Sequence, residues 1–476
     1  MLVHATYTEN GQFALKKTGN ALLELFSECG ALRLRDPHEI ALKFLAAYKE
    51  DRELALRLAF YTRDVLFGLG ERRCGRIFFQ TLAEFAPEDL KQNLAYIAEF
   101  GRFDDYLCLL ETPLYEEVTS FLYEQLQKDL HAMENAQPIS LLAKWLPSAN
   151  ASSRKTMRYA RILEQGFRMR EEEYRKTLSS LRAYLRVTEC SLSKKEYSAI
   201  EYAHVPSKAM MNYRRAFYRN DKERFVTYLD SLKEGKAKIS AKALYPYEIA
   251  ERYAYLSEAD PVLEAQWKTL PSFGKTKRNL LVMADVSGSM SGRPLAISTS
   301  LALYFAQRNE GVFKNRFMTF SRYPELVQIH GESVFEQLQN IQSADWMMNT
   351  DLAAALQLLL DRAVSASSPE EDMPEAIAVI SDMEFDCCTL QDKLFYQEMK
   401  ERYEADGYRL PKIIFWNVNS RHTLFHADAE NDNILLLSGA AISIFESLLE
   451  NMDLSPMDYL KSVLNQKRYQ NIKPAV

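Results

Sequence analysis

At 476 residues the chain is too long for a single hydrophobic core, so two or three domains are expected. Its 47% apolar and 26% charged residues are those of an ordinary soluble globular protein. The net charge of -6 excludes a globally basic nucleic-acid coat, and no run of about 18 apolar residues offers a membrane span.

The amino terminus, MLVHATYTENGQFALKK, lacks the charged-then-apolar pattern of a signal peptide. Cys29, Cys74, Cys108, Cys190, Cys387 and Cys388 form no C-x-x-C pair, so neither a zinc knuckle nor a redox dithiol is supported. The cytoplasm is the simplest expected compartment. From NALLELFSEC through HEIALKFLAAYKE, RELALRLAFYTRDVLFGL, CGRIFFQTLAEFA, LKQNLAYIAEFG and FDDYLCLLE, apolar residues recur three and four apart. That period predicts amphipathic helices. Helix following helix without strands predicts an all-α, HEAT-like helical-repeat region over 1–270; whether it closes into a ring or stays an open arc is left open.

Near residue 271 the pattern changes. LLVMADV, EAIAVISD, PKIIFWNVN and NILLLSG are buried strands, and NRFMTFS with PELVQIH reads as a strand hairpin. PLAISTSLALYFAQRN, SVFEQLQNI, TDLAAALQLLLDRAV, LQDKLFYQEMKERYEAD and AISIFESLLEN are helices between them. Apolar strands alternating with helices predict an α/β, doubly wound, mostly parallel sheet over 271–476. Ligands of such sheets bind outside the carboxyl ends of the strands.

Charge follows the same division. Residues 1–270 hold 40 Lys plus Arg against 38 Asp plus Glu, and 271–476 hold 19 against 27. The segment 151–250 is the exception, with 22 basic residues against 12 acidic ones. A surplus of that size is an electrostatic feature.

Between LLVMA and PLAIS the turn Asp285-Val286-Ser287-Gly288-Ser289 has the form D-x-S-x-S. One carboxylate and two hydroxyls at that spacing can converge on a hard cation such as Mg²⁺, or can simply form a turn and a helix cap. Thr350, just before a helix, and Asp382, at the end of VISD, are placed to add oxygen ligands from other strand ends. This set of Asp285, Ser287, Ser289, Thr350 and Asp382 resembles the metal-ion-dependent adhesion site of von Willebrand factor A domains. The resemblance implies that Mg²⁺ or another divalent cation is held by the first three residues. It makes Thr350 a switchable ligand and Asp382 an indirect one, and it leaves one position that a partner's carboxylate can fill. Met347, Met348 and Asn349 stand where that family often has glycine.

The first half carries its own likeness. TENGQFALKKTGNALLELFSECGALR, IAEFGRFDDYLCLLE, ISLLAKWLPSANASS and IEYAHVPSKAMMNYRRAFYRND are similar to blocks of the DUF2828 family, a helical region followed by an A-like domain. The likeness runs from about residue 7 to 450. More distantly, the order of helices and then an A-like domain resembles TROVE-domain proteins of the Ro class. That resemblance implies a ring of helices that binds small structured RNA and misfolded RNA ends.

SSRKTMRYARILEQGFRMREEEYRKTLSSLRAYLR places Arg158, Arg161, Arg168, Arg175, Arg182 and Arg186 among Tyr159, Tyr174 and Tyr184. NYRRAFYRNDKERF adds Arg214, Arg215 and Arg219 beside Tyr213, Phe217 and Tyr218. Arginine pairs with phosphate and aromatic faces stack unpaired bases, which suits structured or single-stranded RNA. The candidate RNA contacts are eight of these arginines: Arg158, Arg161, Arg168, Arg175, Arg182, Arg214, Arg215 and Arg219. The competing expectation is a solvated helix face balanced by Glu171, Glu172 and Glu173, with the aromatics in the core. Arg72, Arg73 and Arg76 are expected to bridge neighbouring helices, since GLGERRCGR lacks phosphate-loop spacing. His422 and His426 in RHTLFHAD lack the glutamate of a zinc-protease helix, and Ser287 and Ser289 lack a nucleophile elbow. The expectation is a non-enzymatic scaffold with an RNA partner. An adaptor that grips an acidic protein partner through the metal site is the alternative.

Overall fold

The structure is a computed structural model, and it describes residues 5–9, 13–271, 280–320, 323–344, 352–385, 393–429 and 431–476. Thr350 and the Cys387–Cys388 pair lie outside the described residues.

A short antiparallel hairpin opens the chain, β1 (Ala5–Tyr7) with β2 (Phe13–Leu15), where helical periodicity gave no warning of strands. Helices then follow one another from Ala21–Glu28 to Pro261–Lys268. Their starts are written in the sequence. Asn20, Asp36, Asp51 and Ser153 each accept a backbone N–H of the helix that follows, as N-caps do. The second part is a six-stranded sheet of order β5-β4-β3-β6-β7-β8. Its strands are β3 (Leu280–Ala284), β4 (Arg316–Thr319), β5 (Leu326–Gln328), β6 (Ala376–Ser381), β7 (Lys412–Asn417) and β8 (Ile434–Ser438). All neighbours are parallel except β4 and β5, the predicted hairpin.

Both faces of this sheet are buried, and alternation along each strand sorts the side chains. Leu281, Met283, Ile377, Val379, Ile413, Phe415, Ile434 and Leu436 pack on one side with helix Leu352–Ala366, through Leu356, Leu359 and Leu360. Leu280, Val282, Ala284, Ala378, Ile380, Trp416 and Leu437 face the other way. There they share one core with Leu22, Leu23 and Phe26 of the first helix and with Tyr459 and Leu460 near the carboxyl terminus. The change of pattern near 271 therefore marks a change of local structure, while the hydrophobic core runs across it.

Polar contacts reinforce that shared face. Ser438 Oγ donates to Phe26 O at 3.1 Å and accepts from Gly30 N–H at 3.0 Å. Tyr469 Oη donates to the buried Asp64 carboxylate at 3.0 Å, and Asn93 Nδ2 donates to Lys473 O at 2.7 Å. The helical part also ends on this body. Helix Pro246–Tyr253 packs on helix Arg293–Ala306, and Trp267 Nε1 donates to Gln307 Oε1 at 2.8 Å. Tyr245 lies directly against Gly70, whose φ of +62° and lack of a side chain leave room for it; a Cβ there would stand 1.8 Å from the tyrosine oxygen. The residue that precedes the helix Pro246–Tyr253 thus touches the turn after helix Arg52–Arg63.

Arg72, Arg73 and Arg76 bridge helices as expected. Arg76 donates to Asp105 at 2.7 Å beside the fully buried Arg63, which pairs with the same carboxylate at 2.7 Å. Arg72 pairs with Asp104, and Arg73 donates to the carbonyls of Arg33 and Arg35 at 3.1 and 2.7 Å. Burial alone would push the Asp105 carboxyl up, but the two guanidiniums outweigh it and hold it below the usual range.

Candidate functional site

Strand order reverses between β3 and β6: the chain leaves β3 for β4 on one side and later enters β6 on the other. The crevice at such a switch point, outside the carboxyl ends, is where open α/β sheets bind ligands. Asp285 follows β3 and Asp382 follows β6, so the topology itself brings the two carboxylates to one place.

Asp285 is 3% exposed, and its N–H continues the ladder to Ile380 O at 3.0 Å. Its carboxylate accepts the Ser287 N–H at 2.8 Å and the Ser381 hydroxyl at 2.6 Å. Ser287 and Ser289 bring their hydroxyl oxygens to 3.0 Å from each other, the first half-buried and the second exposed. The following helix begins only at Arg293, after a turn over Gly288–Met290. Asp285 therefore shapes the turn, and the helix start is at Gly292, which makes no side-chain cap bond. Burial pushes the Asp285 carboxyl up, the Ser381 and Ser287 bonds pull it down, and the Asp382 charge adds to the rise.

Asp382, also 3% exposed, accepts Glu384 N–H at 3.3 Å and Arg421 Nε–H at 3.1 Å. Arg421 and Ser381 were missed by sequence reasoning. Ser381 was signalled only by a hydroxyl next to Asp382, and Arg421 only by a basic residue shortly after β7. Ser381 is wholly buried and works in both directions, donating to Asp285 and accepting Met383 N–H at 3.1 Å. Thr350 lies outside the described residues, so the set seen together is Asp285, Ser287, Ser289 and Asp382.

These donors suit a hard cation. All are oxygens, and two ligands on adjacent corners of an octahedron with Mg²⁺–O bonds of about 2.1 Å stand about 3 Å apart. Ser287 and Ser289 stand 3.0 Å apart because they are hydrogen-bonded to each other, a bond that a shared cation would replace. Among the described residues no group of three or more His, Cys, Asp and Glu side chains gathers, so a cation here would rest largely on hydroxyls and water. Ser287 meets Ser289 rather than a histidine.

The basic segment divides by burial. Arg158, Arg161, Arg168, Arg175, Arg215 and Arg219 are exposed. Arg158 pairs with Glu111, and Arg175 stands 4.0 Å from Glu171. The other four make no ion-pair contact within 4.0 Å among the described residues, and of these Arg161 still acts on the Glu164 carboxyl through its charge. Arg182 and Arg214 do not join this surface, which corrects the expectation for both. Arg182 is half-buried and donates to Ala143 O, Leu146 O and Ser148 Oγ, each at 2.8 Å. Arg214 is 7% exposed, bonded to Asp260 at 2.6 Å and to Met211 O at 2.5 Å. Among the interleaved aromatics, Tyr174 and Phe217 are core residues, while Tyr184 and Tyr218 are exposed.

Helix Arg154–Gly166 is followed by Arg168 at φ 54°, and helix Glu171–Tyr184 by Arg186 at φ 50°. Left-handed positions after a helix usually take glycine. Both arginines are exposed there.

His422 and His426 do not share a ligand. His422 Nε2 meets Glu9 Oε1 at 2.8 Å, whereas His426 Nε2 meets Met383 O at 3.0 Å, with its ring against both Phe385 and Phe415. No helix among the described residues is long and apolar enough to cross a membrane.

Residues 153–273 match the DUF2828 model, a domain of unknown function, and residues 279–474 match a second one, DUF7788. The DUF2828 likeness is thus shown, over a narrower span than the sequence blocks suggested. "Uncharacterized protein L728" of Acanthamoeba polyphaga mimivirus is 26% identical over 506 residues, covering 97% of this chain and 88% of that protein. Among solved structures, the RO (RSR) protein of Deinococcus radiodurans aligns with 94% of this chain and 96% of its own, at 14% identity and a TM-score of 0.46.

Proposed function

From a chain whose helical residues 153–273 match the DUF2828 family, we propose a non-catalytic scaffold that binds structured or single-stranded RNA through its basic helical segment. The fold assumed in this reading is a HEAT-like helical-repeat region, ring or open arc, followed by a von Willebrand factor A-like domain. One observation carries the RNA reading. Six of the eight candidate arginines are exposed, and Arg161, Arg168, Arg215 and Arg219 make no ion-pair contact among the described residues. Phosphates are the ligand such a surface selects, and the exposed Tyr184 offers a face for a base, while Lys222 stands over the ring of Tyr218 at 5.4 Å.

The strand-end site takes a divalent cation, Mg²⁺ being the reference, on Asp285, Ser287 and Ser289, with Asp382 behind them. When bound, the cation supplies a Lewis-acid charge open to one further oxygen ligand. Exposure of Ser289 favours a second reading, an adaptor that grips an acidic residue of a protein partner there.

The two readings separate experimentally. RNA affinity, measured by filter binding, falls on charge reversal of Arg158, Arg161 and Arg168 and is indifferent to Asp285→Ala. Adaptor binding collapses with EDTA or Asp285→Ala. Recovery of no RNA above background after crosslinking in cells would refute the scaffold. Turnover of a phosphoester, abolished by Asp285→Ala, would refute the absence of catalysis.

A further inference from the structure

A guanidinium sits at the edge of the candidate cation site. Arg421 Nε is 3.1 Å from Asp382 Oδ2, and its Nη2 is 3.6 Å from a carboxylate oxygen of Glu9. The Asp382 side chain is 1% exposed and that of Arg421 34%. Glu9 arrives from the opposite end of the chain, and four contacts hold its hairpin over the strand ends. Thr8 Oγ1 donates to Phe385 O at 2.6 Å, and Glu9 N–H donates to Glu384 Oε2 at 3.0 Å. Glu9 Oε1 meets His422 Nε2 at 2.8 Å, and Leu15 exchanges backbone bonds with Phe425 at 2.8 and 2.9 Å.

We propose that Arg421 sets the cation affinity of the strand-end site, by holding a fixed positive charge on Asp382 that Glu9 shares. The proposal rests on the cation-site reading. Asp285 and Asp382 alone would present two negative charges to an entering cation. Asp285, Asp382 and Arg421 together carry a net charge of minus one, and that reduction is permanent because the guanidinium cannot be deprotonated. Inside a protein, where charges are weakly screened, one such charge changes divalent-ion affinity by at least about tenfold. Glu9 divides the guanidinium between two carboxylates. A cation that draws on Asp382 therefore shifts Arg421 toward Glu9 and tightens the amino-terminal hairpin.

The experiment is a calorimetric titration of the EDTA-stripped full chain with Mn²⁺ as the probe. It compares the natural protein with Arg421→Gln, the charge-keeping Arg421→Lys, and Asp285→Asn as the site control. Circular dichroism checks that each variant is folded. Arg421→Gln is expected to bind Mn²⁺ at least about tenfold more tightly, with Arg421→Lys near the natural affinity. Equal or weaker binding by Arg421→Gln, while the natural protein shows saturable binding that Asp285→Asn removes, overturns the role of Arg421 and leaves the site standing. No Asp285-dependent binding in either the natural protein or Arg421→Gln overturns the site itself.

Discussion

If the exposed arginines hold RNA phosphates, the salt dependence of binding counts them. Eight candidates lie along 158–219, and the inward Arg182 and Arg214 leave six facing solvent. Each phosphate neutralised on a single strand contributes about -0.7 to the slope of log affinity against log salt. Six contacts therefore give a slope of about -4, which is a loss of about 300-fold between 50 and 200 mM salt. Replacing Arg158, Arg161 and Arg168 by glutamine halves the slope to about -2, so the same change of salt costs only about 20-fold. Filter binding of a labelled single strand across four salt concentrations measures both slopes. Arg182→Gln is the internal control: it unmakes three bonds within the fold, so it should lower the melting temperature and leave the slope alone. An unchanged slope in the triple variant, or a slope of about -1 in the natural protein, would refute the assignment of this surface.

Three further outcomes test the structure from other sides. Arg168→Gly should stabilise the protein by about 0.5–1 kcal/mol in urea unfolding, because it relieves a left-handed φ of 54°, and yet weaken RNA binding. Gly30→Ala would set a Cβ 2.6 Å from Gly439 Cα, backbone against backbone where the first helices meet β8. It should cost about 1–3 kcal/mol and lower a single calorimetric transition; two separate transitions would contradict the shared core. His426 is held down to about 4 by burial, against its ordinary 6.5. Its contribution is complete above pH 6.5 and is lost as pH falls toward 4, so acidification from pH 7 to 5 should cost roughly 1–2 kcal/mol that His426→Gln does not lose.

The candidate site was half legible in the sequence. Asp285 and Asp382 close buried apolar runs, and alternation of strand and helix places the ends of parallel strands together. Ser287 and Ser289 follow from the spacing within one turn. Ser381 was hidden because its hydroxyl completes an apolar strand like any small residue. Arg421 was hidden because it reaches Asp382 across 39 residues. In the basic segment, composition registered the surplus of arginine but could not say which guanidiniums the fold consumes. Arg214 and Arg215 are neighbours in sequence, and only the first meets Asp260, 46 residues away.

Local pattern determined the helices before 271, the parallel strands after it, and the turn that holds Asp285, because period, capping and turn chemistry are properties of a few successive residues. Tertiary structure decided that both parts share one core, that two of eight arginines turn inward, and that the amino-terminal hairpin lies over the strand ends. Those outcomes depend on burial and on partners far apart in the chain, as Thr8 and Phe385 are, bonded across 377 residues. Which buried polar group meets which partner is settled only when distant segments pack, since an unpaired one costs more than most local preferences can supply.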